Sequence, residues 1–168
     1  MEVRRIRPDE MEAYREVRLR ALRLAPYAFG TTFADASSRD DDAWRANTVR
    51  LCGPDIAGFV LDRGDGTLGG LVSVTIEDPA AAEVNQMWLD EDLRGGAWGA
   101  ALLGACEAFA TAGGVRRLAL WATATNERAL RFYRRCGYLD TGRTAVDPSA
   151  GLELELAKDL GLTEVAGA

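Results

Sequence analysis

Asn126-Glu127-Arg128-Ala129-Leu130-Arg131-Phe132-Tyr133-Arg134-Arg135-Cys136-Gly137-Tyr138 is the stretch on which the fold turns. It predicts a helix over 126–136 that stops at Gly137, the residue type best suited to the left-handed turn after a helix. Upstream, Leu118 to Ala122 reads as a strand. Before it, Gly95 to Ala112 predicts a helix with Leu102, Leu103, Cys106, Phe109 and Ala110 on one face, ended by Gly113-Gly114. Ala82 to Leu89 is a further strand candidate. Gly95 to Ala122 thus fits part of a crossover joining parallel strands.

Working outward, Val3 to Arg7 alternates apolar and polar residues as a short strand does. Met11, Tyr14, Val17, Ala21 and Leu24 form an amphipathic stripe that Pro26 stops. Residues 25–36 read as a loop rich in aromatic and small residues, after which Ser37 or Ser38 would cap a second helix running through Trp44 to about Leu51. Ile56 to Leu61 and Leu68 to Ile76 are strand-like, with Asp65-Gly66 as the hairpin turn between them. Tyr138 to Thr144 and Leu152 to Leu156 read as final strands, and the C-terminal Thr-Glu-Val-Ala-Gly-Ala as a frayed tail. The expected order is β-α-α-β-β-β-α-β-α-β-β: an α/β chain of the α+β kind, a mixed sheet with helices on its faces. With 168 residues, one domain over 1–168 is expected.

The segment Leu89-Asp90-Glu91-Asp92-Leu93-Arg94-Gly95-Gly96-Ala97-Trp98-Gly99-Ala100 carries the first chemical signal. It joins a strand to a helix. A helix N-terminus holds a partial positive charge and several unpaired N–H groups, and small residues let a phosphate approach them. Arg94 adds a cation. The segment therefore reads as an anion site for a phosphorylated cofactor, or else as glycines that permit close helix–strand packing. Neither the GxGxxG spacing nor the P-loop GK[ST] is present.

Composition narrows the chemistry further. The chain has no histidine, which excludes a Ser-His-Asp triad, a Cys-His pair and any His-ligated metal. Cysteines stand at 52, 106 and 136 with no CxxC, so neither a disulfide scaffold nor a Cys-rich zinc site is expected, and no metal is assigned. A net charge of −6 argues against nucleic acid as a partner and mildly favours a cationic substrate. No apolar run reaches the roughly 20 residues of a membrane span, and no secretory segment is seen, so a cytoplasmic location is expected. Of the 20 basic residues only Lys158 is a lysine, which points to a GC-rich genome.

Taken together, the two segments resemble the GCN5-related N-acetyltransferase (GNAT) superfamily. The family carries Q/R-x-x-G-x-G/A at the first turn, against Arg94-Gly95-Gly96-Ala97-Trp98-Gly99 here. It often ends its next helix with N-x-x-A-x-x-F-Y-x-x-x-G-F/Y, matched at Asn126, Ala129, Phe132, Tyr133, Gly137 and Tyr138. The glycine turn alone is weakly specific; the ordered pair is strongly specific. Ala97 departs from the family's middle glycine, which matters only if that backbone needs a positive φ.

The resemblance implies a central, mixed but mostly antiparallel sheet flanked by about four helices, and an enzyme that moves the acetyl group of acetyl-CoA, its cosubstrate, to a primary amine by direct attack. It implies that backbone groups of Met87, Trp88 and Leu89, on a strand splayed by a bulge, pair with the pantetheine arm. The pyrophosphate would lie on the amides of Arg94, Gly95, Gly96, Ala97, Trp98, Gly99 and Ala100, and Asn126 would help hold the arm. Tyr133 is the implied catalytic group, giving a proton or a hydrogen bond to the departing sulfur; packing against the cofactor is its alternative role. Glu83 is the candidate base, or else a solvated strand-end charge. Phe29 and Trp44 are candidate walls of the acceptor pocket, or else a lid on the core. Glu77, Asp78, Glu153 and Glu155 are acidic residues that could draw a cationic amine. The expected partner is a small-molecule amine, with a protein amine as alternative; a non-catalytic acyl-CoA-binding module is a reading from another class. A homodimer is common in the family.

Overall fold

The structure, a computed structural model, describes residues 1–78 and 80–161. Seven strands form one sheet in the order β1-β2-β3-β4-β5-β7-β6. They are β1 (Glu2–Arg5), β2 (Ile56–Asp62), β3 (Leu68–Asp78), β4 (Ala81–Leu89), β5 (Arg117–Thr123), β6 (Leu139–Asp147) and β7 (Gly151–Asp159). The helices are α1 (Met11–Leu24), α2 (Phe33–Ser37), α3 (Asp41–Arg50), α4 (Trp98–Ala112) and α5 (Glu127–Arg135). Only β4 and β5 pair in parallel, and α4 is the crossover that connects them. The C-terminal Thr-Glu-Val-Ala-Gly-Ala lies outside the described residues.

The sheet separates two apolar clusters, because alternate side chains of a strand point to opposite faces. Val72, Val74, Leu89, Leu118 and Leu120 pack with Leu102, Leu103 and Cys106 of α4 and with Leu130 and Tyr133 of α5. Leu68, Leu71 and Trp88 pack with Tyr14, Val17 and Leu22 of α1 and Trp44 of α3. Lys158 of β7 reaches both carboxylate oxygens of Glu107 on α4, at 2.9 and 2.8 Å, and ties the far strands to that helix.

Three local expectations are corrected. Residues 25–36 are not all loop. Thr32 accepts the Asp35 N–H at 3.1 Å and caps the one-turn α2. The second long helix, α3, is capped by Asp40, which accepts the Ala43 N–H at 2.8 Å; Ser37 lies in α2 and Ser38 at its end. In α1 the buried stripe does not run on to Leu24, which is 62% exposed, while Leu22 and Arg18 are buried.

Candidate active site

The β4–β5 ladder is short. Only Ala82, Glu83 and Val84 pair with Leu118, Ala119 and Leu120. Beyond them Asn85 to Leu89 and Trp121 to Thr123 diverge, leaving backbone groups of both strands without a sheet partner in the gap. The divergence has a local cause. The β3–β4 register slips between Leu71 and Ser73, and Gln86 takes a φ of 60°. A left-handed conformation at a residue with a Cβ is uncommon and needs outside support. Gln86 has it. Its Oε1 accepts the Tyr14 hydroxyl at 2.9 Å, Tyr14 accepts from Asn47 Nδ2 at 3.0 Å, and Gln86 Nε2 donates to Ser73 Oγ at 3.3 Å. The bulge is thereby fastened to α1, α3 and β3 at once. At the far end of β4, Asp90 is clamped by Arg20 and Arg63, both at 2.9 Å.

The glycine turn follows. Gly95 has a φ of 84°, so a residue without a Cβ is needed there. Ala97 has φ −77° and ψ −15°, which any L residue adopts; its methyl does not strain the turn. The first bond of α4 runs from Ala101 N–H to Ala97 C=O at 3.0 Å, so the amides of Trp98, Gly99 and Ala100 have no helical acceptor. Gly95, Gly96 and Ala97 are exposed, and these amides can receive an anion. Gly99 is buried: a Cβ there would stand 3.0 Å from the Phe132 ring, which lets α4 approach α5. Arg94 donates through Nε to the Leu89 carbonyl at 2.8 Å and stacks on Trp88, so the cation is held against the end of β4.

Asn126 opens α5. Its side chain accepts the Ala129 N–H at 3.2 Å, a capping role that leaves its amide N–H₂ for other work. Tyr133 is buried beside Phe132 and Tyr138 in the same cluster as Leu89 and Ala122. Burial pushes its phenol above the ordinary value, so it keeps its proton at neutral pH.

On the other side of β4 a cavity of about 640 Å³ lies between α1, α3 and the strands. Glu83 lines it, half-buried, its carboxyl raised by desolvation and by Glu77 and Glu155. Glu153 of β7 shares it and is also raised, by desolvation and then by Asp147 and Glu83. Phe29 forms part of the wall, and the backbone of this loop is pinned where Thr123 Oγ1 donates to the Tyr27 carbonyl at 2.8 Å. Trp44 does not line the cavity. It is 0% exposed and packs edge-on against Tyr14 at 5.8 Å, so as a pocket wall it is corrected to core. Glu155 is taken by Arg143 and Thr141 at 2.7 Å each. Glu77 and Asp78 lie exposed at the end of β3. Tyr133 is not on the cavity wall either; it belongs to the apolar cluster with α4 and α5.

Arg18, Gln86 and Tyr14 also line the cavity, and nothing in the sequence singles them out. An arginine on an amphipathic helix reads as solvated, and a glutamine gives no sign of a left-handed backbone. The helical stripe contained Tyr14, but as a core residue.

Comparison with known proteins agrees with this geometry. Residues 12–138 match the acetyltransferase (GNAT) family. The chain is 33% identical over 153 residues to mycothiol acetyltransferase of Cellulomonas flavigena, covering 85% of this chain and 40% of the relative. An uncharacterized N-acetyltransferase of Methanocaldococcus jannaschii is 35% identical over 63 residues, 38% of this chain and 28% of the relative. The chain thus spans less than half the length of these curated relatives. Among solved structures, the acetyltransferase yncA of Salmonella typhimurium with acetyl-CoA aligns with a TM-score of 0.75 at 19% identity, covering 100% of this chain and 97% of that one. A phosphinothricin acetyltransferase from Sinorhizobium meliloti in complex with acetyl-CoA gives 0.76 at 16% identity, over 99% and 91%. Among the described residues no helix is long and apolar enough to cross a membrane. The chain belongs to the acetyltransferase (GNAT) family and carries its fold.

Proposed function

We propose that the protein transfers the acetyl group of acetyl-CoA to the primary amine of a small molecule, by direct attack within a ternary complex. The observation that carries this is the β4–β5 gap, open between an anion-receiving helix N-terminus and a cavity with a half-buried carboxylate. Backbone groups of Met87, Trp88 and Leu89 would hold the amide-bearing arm of the donor. The turn from Arg94 to Ala100 would hold its pyrophosphate, and Asn126 would steady the arm through its free amide hydrogens. Bound acetyl-CoA supplies a thioester carbonyl.

Glu83 accepts a proton from the substrate ammonium, directly or through water, and its raised pKa brings it closer to neutrality than an ordinary carboxylate. The freed amine attacks the carbonyl; a C–N bond forms, the C–S bond breaks, and the second proton lost from nitrogen passes through water to the departing sulfur. The leaving thiolate is a weaker base than the phenolate of Tyr133, whose pKa burial has raised. Tyr133 therefore acts as a hydrogen-bond donor to the departing sulfur and keeps its proton. Backbone N–H groups near Leu89 would stabilise the negative charge that develops on the carbonyl oxygen. The cavity volume suits a small acceptor, since small-ligand pockets run from about 300 to 1,000 Å³.

Calorimetry with acetyl-CoA, CoA and propionyl-CoA tests the donor site, and thiol release from acetyl-CoA across an amine panel tests transfer. Micromolar donor binding with amine-dependent thiol release is expected. Absence of donor binding refutes the proposal; binding without release from any amine reassigns the protein to a non-catalytic acyl-CoA module.

A further inference from the structure

One cavity wall carries a charge that the transfer chemistry does not use. Arg18 of α1 is 7% exposed, and its Nη1 is buried without a hydrogen-bond partner. Its guanidinium lies over the Phe29 ring, 4.5 Å from the centroid, and it lines the cavity. A ring face attracts a cation but does not satisfy an N–H fork. Burial, opposed by Tyr14 and assisted by the nearby Arg39, lowers the Arg18 pKa to about 10, yet the side chain stays charged at neutral pH. Arg39, from the turn after α2, is half-buried and lines the same cavity.

Glu83 and Glu153 face that space from the sheet. Among the described residues none of these four charges, nor Arg50 on the same wall, makes an ion pair within 4.0 Å, although fourteen other pairs form across the molecule. Three cations from the helical side, Arg18, Arg39 and Arg50 (the last donating to Asn47 Oδ1), and two carboxylates from the strand side therefore share one cavity without forming ion pairs with each other. A buried, unpaired charge is costly, and such a group is kept where a partner arrives from outside. Here the partner must be an anion at the helical wall. The carboxylates at the strand wall need a cation of their own.

We propose that the acceptor is zwitterionic: a small amine that also carries an oxyanion, carboxylate or phosphoryl, received by Arg18 with Arg39 at the rim, while its ammonium faces Glu83 and Glu153. This rests on the transfer reaction proposed above and names its substrate class. The guanidinium fork is suited to two oxygens of one oxyanion, which fixes one end of the acceptor. The other end is then directed to the base on β4. The overall negative charge of the chain, which alone favours a cationic substrate, is overruled by the local arrangement.

Matched pairs test it: L-phenylalanine with phenethylamine, L-leucine with isopentylamine, and O-phosphoethanolamine with ethanolamine. Each is measured by calorimetry on the donor-free protein and by thiol release with acetyl-CoA. For at least one pair, the oxyanion member is expected to bind and to be acetylated at least about tenfold better than its partner without the oxyanion. The amino-acid and phosphate pairs distinguish the two sources of oxyanion. Arg18→Met should erase the preference without lowering the melting temperature, because an unpaired charge leaves the interior; Arg18→Lys should keep part of the preference. If Arg18 serves only to pack on Phe29, Arg18→Met lowers the melting temperature and leaves the preference intact. Amines without an oxyanion used equally or better, with acetyl-CoA binding intact, overturn this inference alone. Absence of binding by every oxyanion probe overturns it as well. Absence of acetyl-CoA binding overturns the transfer reaction, and oxyanion binding that depends on Arg18 would still stand.

Discussion

Replacing Tyr133 with phenylalanine isolates a single atom. Among the described residues the Tyr133 hydroxyl forms no hydrogen bond, and the ring packs on Phe132 and Tyr138 at 5.3 and 6.3 Å. Removing the oxygen therefore costs the free protein no bond and no packing. The melting temperature should stay the same or rise slightly. In the reaction, the lost contact is a hydrogen bond to a sulfur that gains negative charge. Hydrogen bonds to charged groups contribute about 1.5–3 kcal/mol. With about 1.4 kcal/mol per factor of ten, Tyr133→Phe should lower kcat by roughly 10- to 150-fold. Because the contact forms only as the bond breaks, kcat and kcat/KM should fall together, with acetyl-CoA affinity unchanged. Stopped-flow thiol release, with calorimetry for the donor, measures both. A kcat within about twofold of the parent refutes a role at the sulfur. A parallel fall in donor affinity or melting temperature makes Tyr133 a packing residue.

Three further outcomes are expected. Glu83→Gln should flatten the rise of kcat/KM with pH. Its folded pKa is raised, so the stability Glu83 contributes is full below its ordinary value and lost as pH rises through the folded one; the variant should gain relative stability at neutral pH in urea melts. Trp44→Ala should destabilise by about 3–5 kcal/mol with the acceptor KM unchanged, whereas Phe29→Leu should raise the acceptor KM with little change in melting temperature; the reverse pattern would make Trp44 the wall. Glu10, held below its ordinary 4.5 chiefly by the Arg4 guanidinium, contributes stability that is full above that value and lost as pH falls through the lowered one. Glu10→Gln should remove that acid-side loss from the melting profile.

The sequence made the scaffold legible because its punctuation was local. Gly137, Gly113-Gly114, Asp65-Gly66 and Pro26 act within a turn of where they stand. The cap of α3 was misplaced because Ser37, Ser38 and Asp40 are all competent cap residues within four positions; tertiary packing chose Asp40 and gave the serines to a one-turn helix. The glycine turn was legible as a motif, but which glycine needs its freedom was not: Gly95 does, and the Ala97 position does not. The resemblance implied a bulge in this strand, but nothing in the residues put it at Gln86, since that left-handed backbone is held by Tyr14, far away in sequence. Trp44 and Phe29 look alike in the sequence; only the fold separates a core ring from a cavity ring.

The ion pair between Lys158 and Glu107 has a chemical consequence for the proposed transfer from an activated acyl donor. Thioesters acylate exposed lysine amines slowly and without catalysis. Among the 20 basic residues of this sequence, Lys158 alone carries such an amine, and both Glu107 oxygens hold it. Arginine guanidinium groups stay protonated and do not react. The side-chain amines of the protein are therefore nearly inert toward a thioester. After long incubation with acetyl-CoA, peptide mapping should find Lys158 almost unacetylated.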